Sequence, residues 1–174
     1  MKLTWFGMTT FRIQLGGQIV VVDAHASPDG IVSNELISGS DQQVLWDEAL
    51  PHADGATWKR RPAERLLDAG DRQRPVVIWS VGPRGLLLDG DDERPLLVLA
   101  SDVPQLGRWA QDAVVVLAGA NIRQAGQKVL DMASPKLIAL AVDGGVVDTT
   151  FAALKPRLDG TGLIALEPGL AVEA

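Results

Sequence analysis

The chain has 174 residues, long enough for one domain with a substantial core. A hydrophobic share of 47 %, 22 % charged residues and a mean hydropathy of +0.13 exclude wholesale disorder. A net charge of −6 argues against a nucleic-acid partner, and the absence of cysteine excludes disulfides, thiolate nucleophiles and cysteine-ligated zinc.

The first residues carry no basic stretch followed by an apolar run, so no secretion signal is expected. Leu3–Phe6, Thr10–Leu15 and Gln18–Val22 read as a meander of strands, the last two separated by Gly16-Gly17. Pro28 to His52 is polar and rich in glycine and serine, and is expected to hold little regular structure. The only basic cluster, Trp58-Lys59-Arg60-Arg61, reads as a solvated helix start. Pro62–Ala69 suits that short helix, with Pro62 in its first turn and Gly70 past its end.

Val76–Val81, Gly85–Leu88 and Leu96–Ala100 are strands, and Ala113–Leu117 is a buried one. Asn121 is placed to cap a helix whose Ile122, Ala125, Val129 and Leu130 share a face, and Pro135 stops it. Leu137–Val142 is another buried strand. Asp148 or Thr149 would start a helix carrying Phe151 and Leu154, and Leu163–Leu166 closes the sheet. No apolar run approaches the roughly 18–20 residues of a membrane span, so no membrane partner is expected, and the cysteine-free composition fits a cytoplasmic protein.

The two halves echo one another. Phe11–Asp23 is a hairpin whose second strand ends on Asp23, and Gly85–Asp102 is a hairpin whose second strand ends on Asp102. Meanders lead each half and helix–strand alternation concentrates in the second, which predicts an α/β fold of two packed sheets with helices outside.

These stretches carry a family resemblance. MKLTWFGMTTFRI…GGQIVVVDAHAS is similar to the opening of metallo-β-lactamase-fold proteins, in the subgroup of ascorbate-phosphate lactonase-like metal-dependent hydrolases. That opening has a Gly-His-Ser/Ala turn and a strand ending Ile-Asp-Pro. Gly7-Met8-Thr9 and Val22-Asp23-Ala24 stand in those places here. LLVLASDVPQLG resembles the later strand ending Gly-Asp-Thr, with Asp102 at the aspartate. SPKLIALAVDGG resembles the strand that normally ends Pro-Met-His-Tyr-Gly, and LIALEPGLAVEA the terminal strands. The similarity covers residues 1–30 and 95–174. It implies a four-layer αββα sandwich of two mixed sheets flanked by helices, here a single domain over residues 1–174 shortened over about 30–75.

The same resemblance implies what is missing. A working site in that family needs a His-x-His-x-Asp-His motif, two further histidines and a bridging aspartate, which hold metal ions that activate water. This chain has two histidines in all. Met8 replaces the histidine of the first turn, Val142 falls where the last one is expected, and the stretch between Ala26 and Val76 is too short for the metal loop. The expectation is therefore a degenerate site with no metal and no cofactor.

Asp23 is expected to accept hydrogen bonds that order neighbouring loops, as in the family. His25 follows it by two residues, so an extended chain would point both the same way. Asp102 is expected to be a relic or a cap for Val103–Leu106, and Asp143 lies beside the lost histidine. Asp89–Glu93 (DGDDE) lacks a distal glutamate for calcium and reads as a solvated turn, GPRG and DGG match no phosphate loop, and His52 sits in a polar turn. Ser27 and Ser101 lack a nearby base, and the five tryptophans read as core or interface.

These residues point to a non-catalytic protein that works by binding or self-association, as a homodimer or with a protein partner, with Trp46 and Trp58 as contact candidates. A small molecule held in the old cleft is a third possibility. The alternative is a residual hydrolase of esters, lactones or phosphoesters, with Asp23, His25, Asp102 and Asp143 converging on one divalent Mg²⁺ or Mn²⁺.

Overall fold

Two meanders found the two sheets in the computed structural model, which describes residues 1–62, 74–91 and 93–174. β1 (Lys2–Gly7), β2 (Thr10–Leu15) and β3 (Gln18–Val22) pair antiparallel, and β4 (Gln42–Val44) joins parallel to β3. β11 (Ala171–Glu173) returns from the C-terminus to pair with β1, for the order β11-β1-β2-β3-β4. In the second sheet β5 (Val77–Ser80), β6 (Gly85–Asp89) and β7 (Leu96–Leu99) pair antiparallel. β8 (Val114–Ala118), β9 (Leu137–Ala141) and β10 (Gly162–Ala165) follow in parallel, for the order β10-β9-β8-β7-β6-β5. The pairing series antiparallel, antiparallel, parallel thus occurs once in each half, which is the echo legible in the sequence.

Side-chain alternation sorts the core. Leu3 and Trp5 of β1, Phe11, Ile13 and Leu15 of β2, and Val20 and Val22 of β3 face Leu86, Leu88, Leu96, Val98, Val114 and Val116 across the sandwich. Fully burying each such side chain stabilises by about 1.5–3 kcal/mol. The other face of the second sheet, with Leu87, Leu97, Leu99, Val115, Leu117, Ile138 and Leu140, packs under α2 (Ile122–Met132) and α3 (Gly144–Leu154). Burial on both faces is why β6 to β9 read as unbroken apolar runs. The outer face of the first sheet carries a smaller cluster of Val21, Ala24 and Leu36, the last from α1 (Ser33–Ile37). The guanidinium of Arg12 donates to the carbonyls of Leu36 and Ser38 and so closes the C-terminal end of that helix.

Several expectations need correction. The stretch from Pro28 to His52 holds α1 and β4, both too short and polar to show a period. Gln42 anchors β4 instead, donating to the Val76 carbonyl at 2.9 Å, while the Val76 amide donates to Gln18 Oε1 at 2.7 Å. α3 begins at Gly144, with Asp143 in the N-cap position, rather than at Asp148 or Thr149. Its two leading glycines, poor helix formers, hid that start. No helix follows Asp102, because residues 103–107 are irregular.

The basic cluster is itself non-helical and only partly solvated, and whether a helix follows lies outside the described residues. Trp58 packs edge-on against Trp79 and Trp109, at 5.7 and 5.1 Å between ring centroids. Arg60 and Arg61 lie in non-helical chain and clamp Asp89, which is only 1 % exposed. Arg61 Nε is 2.9 Å from Asp89 Oδ2 and Arg60 Nε 3.6 Å from Oδ1. A carboxylate this deeply buried requires such a partner. Two further described residues of the acidic turn are engaged too. Glu93 pairs with the N-terminal amine at 3.0 Å. A hydrogen bond from Arg74, whose Nη2 is 2.6 Å from the Asp91 carboxylate, holds Asp91 below the usual carboxylate range. The helix expected over Pro62–Ala69 lies, beyond Pro62 itself, outside the described residues.

Candidate functional site

Strand direction gathers the chemistry-bearing residues at one edge of the sandwich. The C-terminal ends of β3, β4, β7, β8 and β9 lead into Asp23, Leu45, Asp102, Asn121 and Asp143. The β1–β2 turn and the start of β6 reach the same edge from the opposite strand direction. Arg84, just before β6, donates from Nη2 to Thr9 Oγ1 at 3.3 Å and so joins the two sheets there. The carboxyl ends of parallel strands are where open α/β sheets expose loops to ligands.

Asp23 organises this edge through its backbone as much as its side chain. Its amide donates to the Val44 carbonyl at 2.8 Å, holding the end of β3 to the end of β4. Its carbonyl accepts from Thr10 Oγ1 at 2.9 Å and its carboxylate accepts from Thr9 Oγ1 at 2.5 Å, holding both to the β1–β2 turn. Among the described residues, three non-glycine positions have positive φ: Met8 at 49°, Asp23 at 53° and Arg84 at 50°. All three converge on Thr9, one as its chain neighbour and two as its hydrogen-bond partners. Such conformations cost on the order of 1–3 kcal/mol each, least for aspartate, and concentrate where the surrounding structure enforces them. Gly7, at φ 117°, is needed because a Cβ there would stand 2.6 Å from Pro28 Cγ.

A cleft of about 510 Å³ opens beside this network, lined by Asp23, His25, Leu45, Trp46, Glu48 and Arg84. The guanidinium of Arg84 lies 5.8 Å from the ring centroid of Trp46, within reach of a cation–π attraction. The indole N–H of Trp46 is buried and finds no acceptor among the described residues. Such an orphan donor is uncommon in a folded chain. Asp47 also lines the cleft, so its carboxylates outnumber its one arginine.

The residues singled out from the sequence distribute as follows. Asp23 and His25 both line the cleft, but not on an extended chain. His25 is exposed on a 3-10 turn, Ala24–Ala26, that follows Asp23. Asp102 and Asp143 are exposed at the same edge, and neither lines the cleft. Among the described residues no three His, Asp, Glu or Cys side chains stand in a group that could hold a metal ion. Ser27 shares hydrogen bonds with Ser33 and the Ile31 carbonyl, and Ser101 donates to the Pro83 carbonyl. His52 bridges by its backbone to Ser80 and is exposed. Sequence reasoning missed Thr9 and Arg84. The signal for Arg84 was present: a residue between Pro83 and Gly85 in a tight turn is a candidate for positive φ.

No family model matches this chain, and no curated protein matches its sequence. Two solved structures are similar to it over nearly its whole length. One is an isothiocyanate hydrolase from Delia radicum gut bacteria, with a TM-score of 0.55 and 13 % identity over 99 % of this chain and 99 % of that one. The other is Igni18, a metallo hydrolase from the archaeon Ignicoccus hospitalis, with a TM-score of 0.51 and 11 % identity over 98 % and 97 %. At these identities the likeness is one of fold. The chain has a mixed α/β fold of two mixed sheets like these structures, and among the described residues no helix is long and apolar enough to cross a membrane.

Proposed function

We propose that this chain is a shortened metallo-β-lactamase-like four-layer sandwich that works by binding at its carboxyl edge, without a metal and without hydrolysis. The single observation that carries the reading is the donor set at that edge. A metal-activated water in this fold needs several imidazoles and carboxylates converging on one point. Here Met8 and Val142 hold two of the expected histidine positions, Asp23 is spent on Thr9, and the cleft contains an arginine. A guanidinium repels a divalent cation and cannot serve as a ligand to one. The residues present therefore do not fit the metal that the resemblance implies, and no step through a metal is derived.

What the edge can do is bind. It has a cleft and an indole face under a guanidinium, beside a hydrogen-bonded network that holds Met8, Asp23 and Arg84 at positive φ. Fold similarity to two hydrolases supports the scaffold but not the activity.

The test is a hydrolysis screen with p-nitrophenyl esters, aliphatic lactones and phosphodiesters, with Zn²⁺, Mn²⁺ or Mg²⁺ added, run on wild-type chain and on Asp102→Ala. Background rates for both proteins are expected. Metal-dependent turnover that disappears in Asp102→Ala would overturn the reading and establish the rebuilt hydrolase.

A further inference from the structure

Among the described residues, five large apolar side chains are exposed: Met8, Val32, Leu45, Val146 and Leu170. The topology puts every one at the carboxyl edge. Met8 is in the β1–β2 turn and Leu45 follows β4, lining the cleft. Leu170 lies in the β10–β11 connection, held there by the Gly169 amide, which donates to the Trp5 carbonyl at 2.7 Å. Trp5 in turn donates from its indole nitrogen to the Met8 carbonyl at 3.2 Å. Val32 precedes α1, on the loop after Asp23, and Val146 is in the first turn of α3. Elsewhere on the described surface, large apolar groups are covered. Exposed apolar residues scattered singly need no explanation, but their confinement to one edge marks an interaction surface.

The charge at that edge says what covers it. Asp29, Asp47, Glu48, Asp102, Asp143, Asp148 and Glu167 are exposed there. The described cations of this edge are few: Arg84, stacked on Trp46, Arg123 in the first turn of α2, and Lys128, which donates to the Val103 carbonyl. At the opposite edge Arg60 and Arg61 are engaged with Asp89, Arg74 with Asp91 and Arg94 with Asp112, while Lys2, Arg108, Lys136 and Lys155 are exposed. A second copy docking edge to edge would bring acid against acid. Docking head to tail would meet arginines that are mostly paired, with Lys2, Arg108, Lys136 and Lys155 left to face the carboxylates, so the concentration dependence of the chain's own spectrum decides for or against a second copy. Nucleic acid and anionic membranes are repelled.

We infer that the carboxyl edge is a docking surface for a cationic, amphipathic segment of a partner protein. Its apolar residues would sit among Met8, Leu45 and Leu170, and its Lys and Arg among the surrounding carboxylates. Recognition of this kind is common for amphipathic helices in grooves, with charge complementarity setting orientation and on-rate. This inference rests on the binding reading above and names its partner class.

The probe is a synthetic amphipathic helix of leucine and lysine, with a leucine–glutamate peptide of the same pattern as control. Binding is read by fluorescence anisotropy, and the site by ¹H–¹⁵N correlation spectra of the chain. The lysine peptide is expected to bind and to move the amides of Met8, Leu45–Glu48 and Leu170 and the indole peak of Trp46. Its affinity is expected to fall at least about tenfold in the Leu45→Ser/Leu170→Ser double variant, roughly what losing two half-exposed leucines implies. Both residues are exposed, so the variant keeps its core, and its spectrum reports that it is folded. Three results would overturn the inference: no binding, shifts spread over the opposite edge, or equal affinity for wild type and double variant. Concentration-dependent shifts at these same residues without peptide would also overturn it, in favour of a second copy. Metal-dependent hydrolysis would overturn the binding reading itself, whereas an inert chain that ignores the peptide would overturn only its partner class.

Discussion

Replacing Asp23 separates two contributions that the structure places in one residue. Its carboxylate accepts a hydrogen bond from Thr9 at 2.5 Å, and its backbone sits at φ 53°. Asp23→Ala removes the acceptor and leaves the Thr9 hydroxyl, only 7 % exposed as a residue, with Arg84 as its remaining partner. A hydrogen bond to a charged group contributes about 1.5–3 kcal/mol. Alanine also tolerates the left-handed region less well than aspartate, which adds up to about 1 kcal/mol. The total loss expected is about 2–4 kcal/mol, a large part of the roughly 5–15 kcal/mol of a typical domain. Asp23→Gly loses the same bond but carries no left-handed penalty, so it is expected to be about 1 kcal/mol more stable than Asp23→Ala. Urea unfolding followed by tryptophan fluorescence measures both, at unchanged m. An Asp23→Ala chain within about 0.5 kcal/mol of wild type, or an Asp23→Gly chain below Asp23→Ala, would refute the reasoning.

Other positions give independent checks. Gly119 ends β8 at φ 89°, where a Cβ would come within 2.9 Å of the Ala100 carbonyl oxygen, so Gly119→Ala is expected to cost about 2–4 kcal/mol in urea unfolding. Trp46→Phe removes the indole N–H that finds no acceptor, so thermal unfolding should show stability unchanged or raised by up to about 1 kcal/mol. A loss above about 2 kcal/mol would show that the ring's packing and its contact with Arg84 outweigh the orphan donor, contrary to this expectation. Asp91 is held below the ordinary carboxylate range by Arg74, so its stabilisation is complete above about pH 4 and lost as pH falls through its lowered folded value. Asp91→Asn should therefore show a shallower loss of stability on the acid side than wild type, measured by urea midpoints across that window.

Legibility of the fold followed the strength of each local signal. β2 and β3 were readable to the residue because the strand-forming runs Thr10–Leu15 and Gln18–Val22 flank a glycine pair. β8, α2 and β9 were readable because long apolar runs flank a helix with a single buried face. β4 was not, because three residues bonded through Gln42 carry no period. α3 was misplaced because its first turn is Gly144-Gly145, and helix start signals weigh against glycine. At the site, Asp23 was visible as a carboxylate ending an apolar strand. Its partners Thr9 and Arg84 were not, since their meeting depends on how the two sheets are joined. The same holds for Asp89, Asp91 and Glu93, a turn in the sequence whose ion pairs to Arg60, Arg61, Arg74 and the N-terminus are all long-range. The exposed apolar residues, scattered from Met8 to Leu170, form one edge only after the strands are paired.

The most direct measurement is the metal content of the chain, by mass spectrometry, after purification without chelator and without a histidine tag. The account predicts far less than one ion per chain, with no rise in unfolding temperature on adding Zn²⁺, Mn²⁺ or Mg²⁺. One firmly held ion per chain, lost in Asp23→Ala or Asp102→Ala, would contradict it.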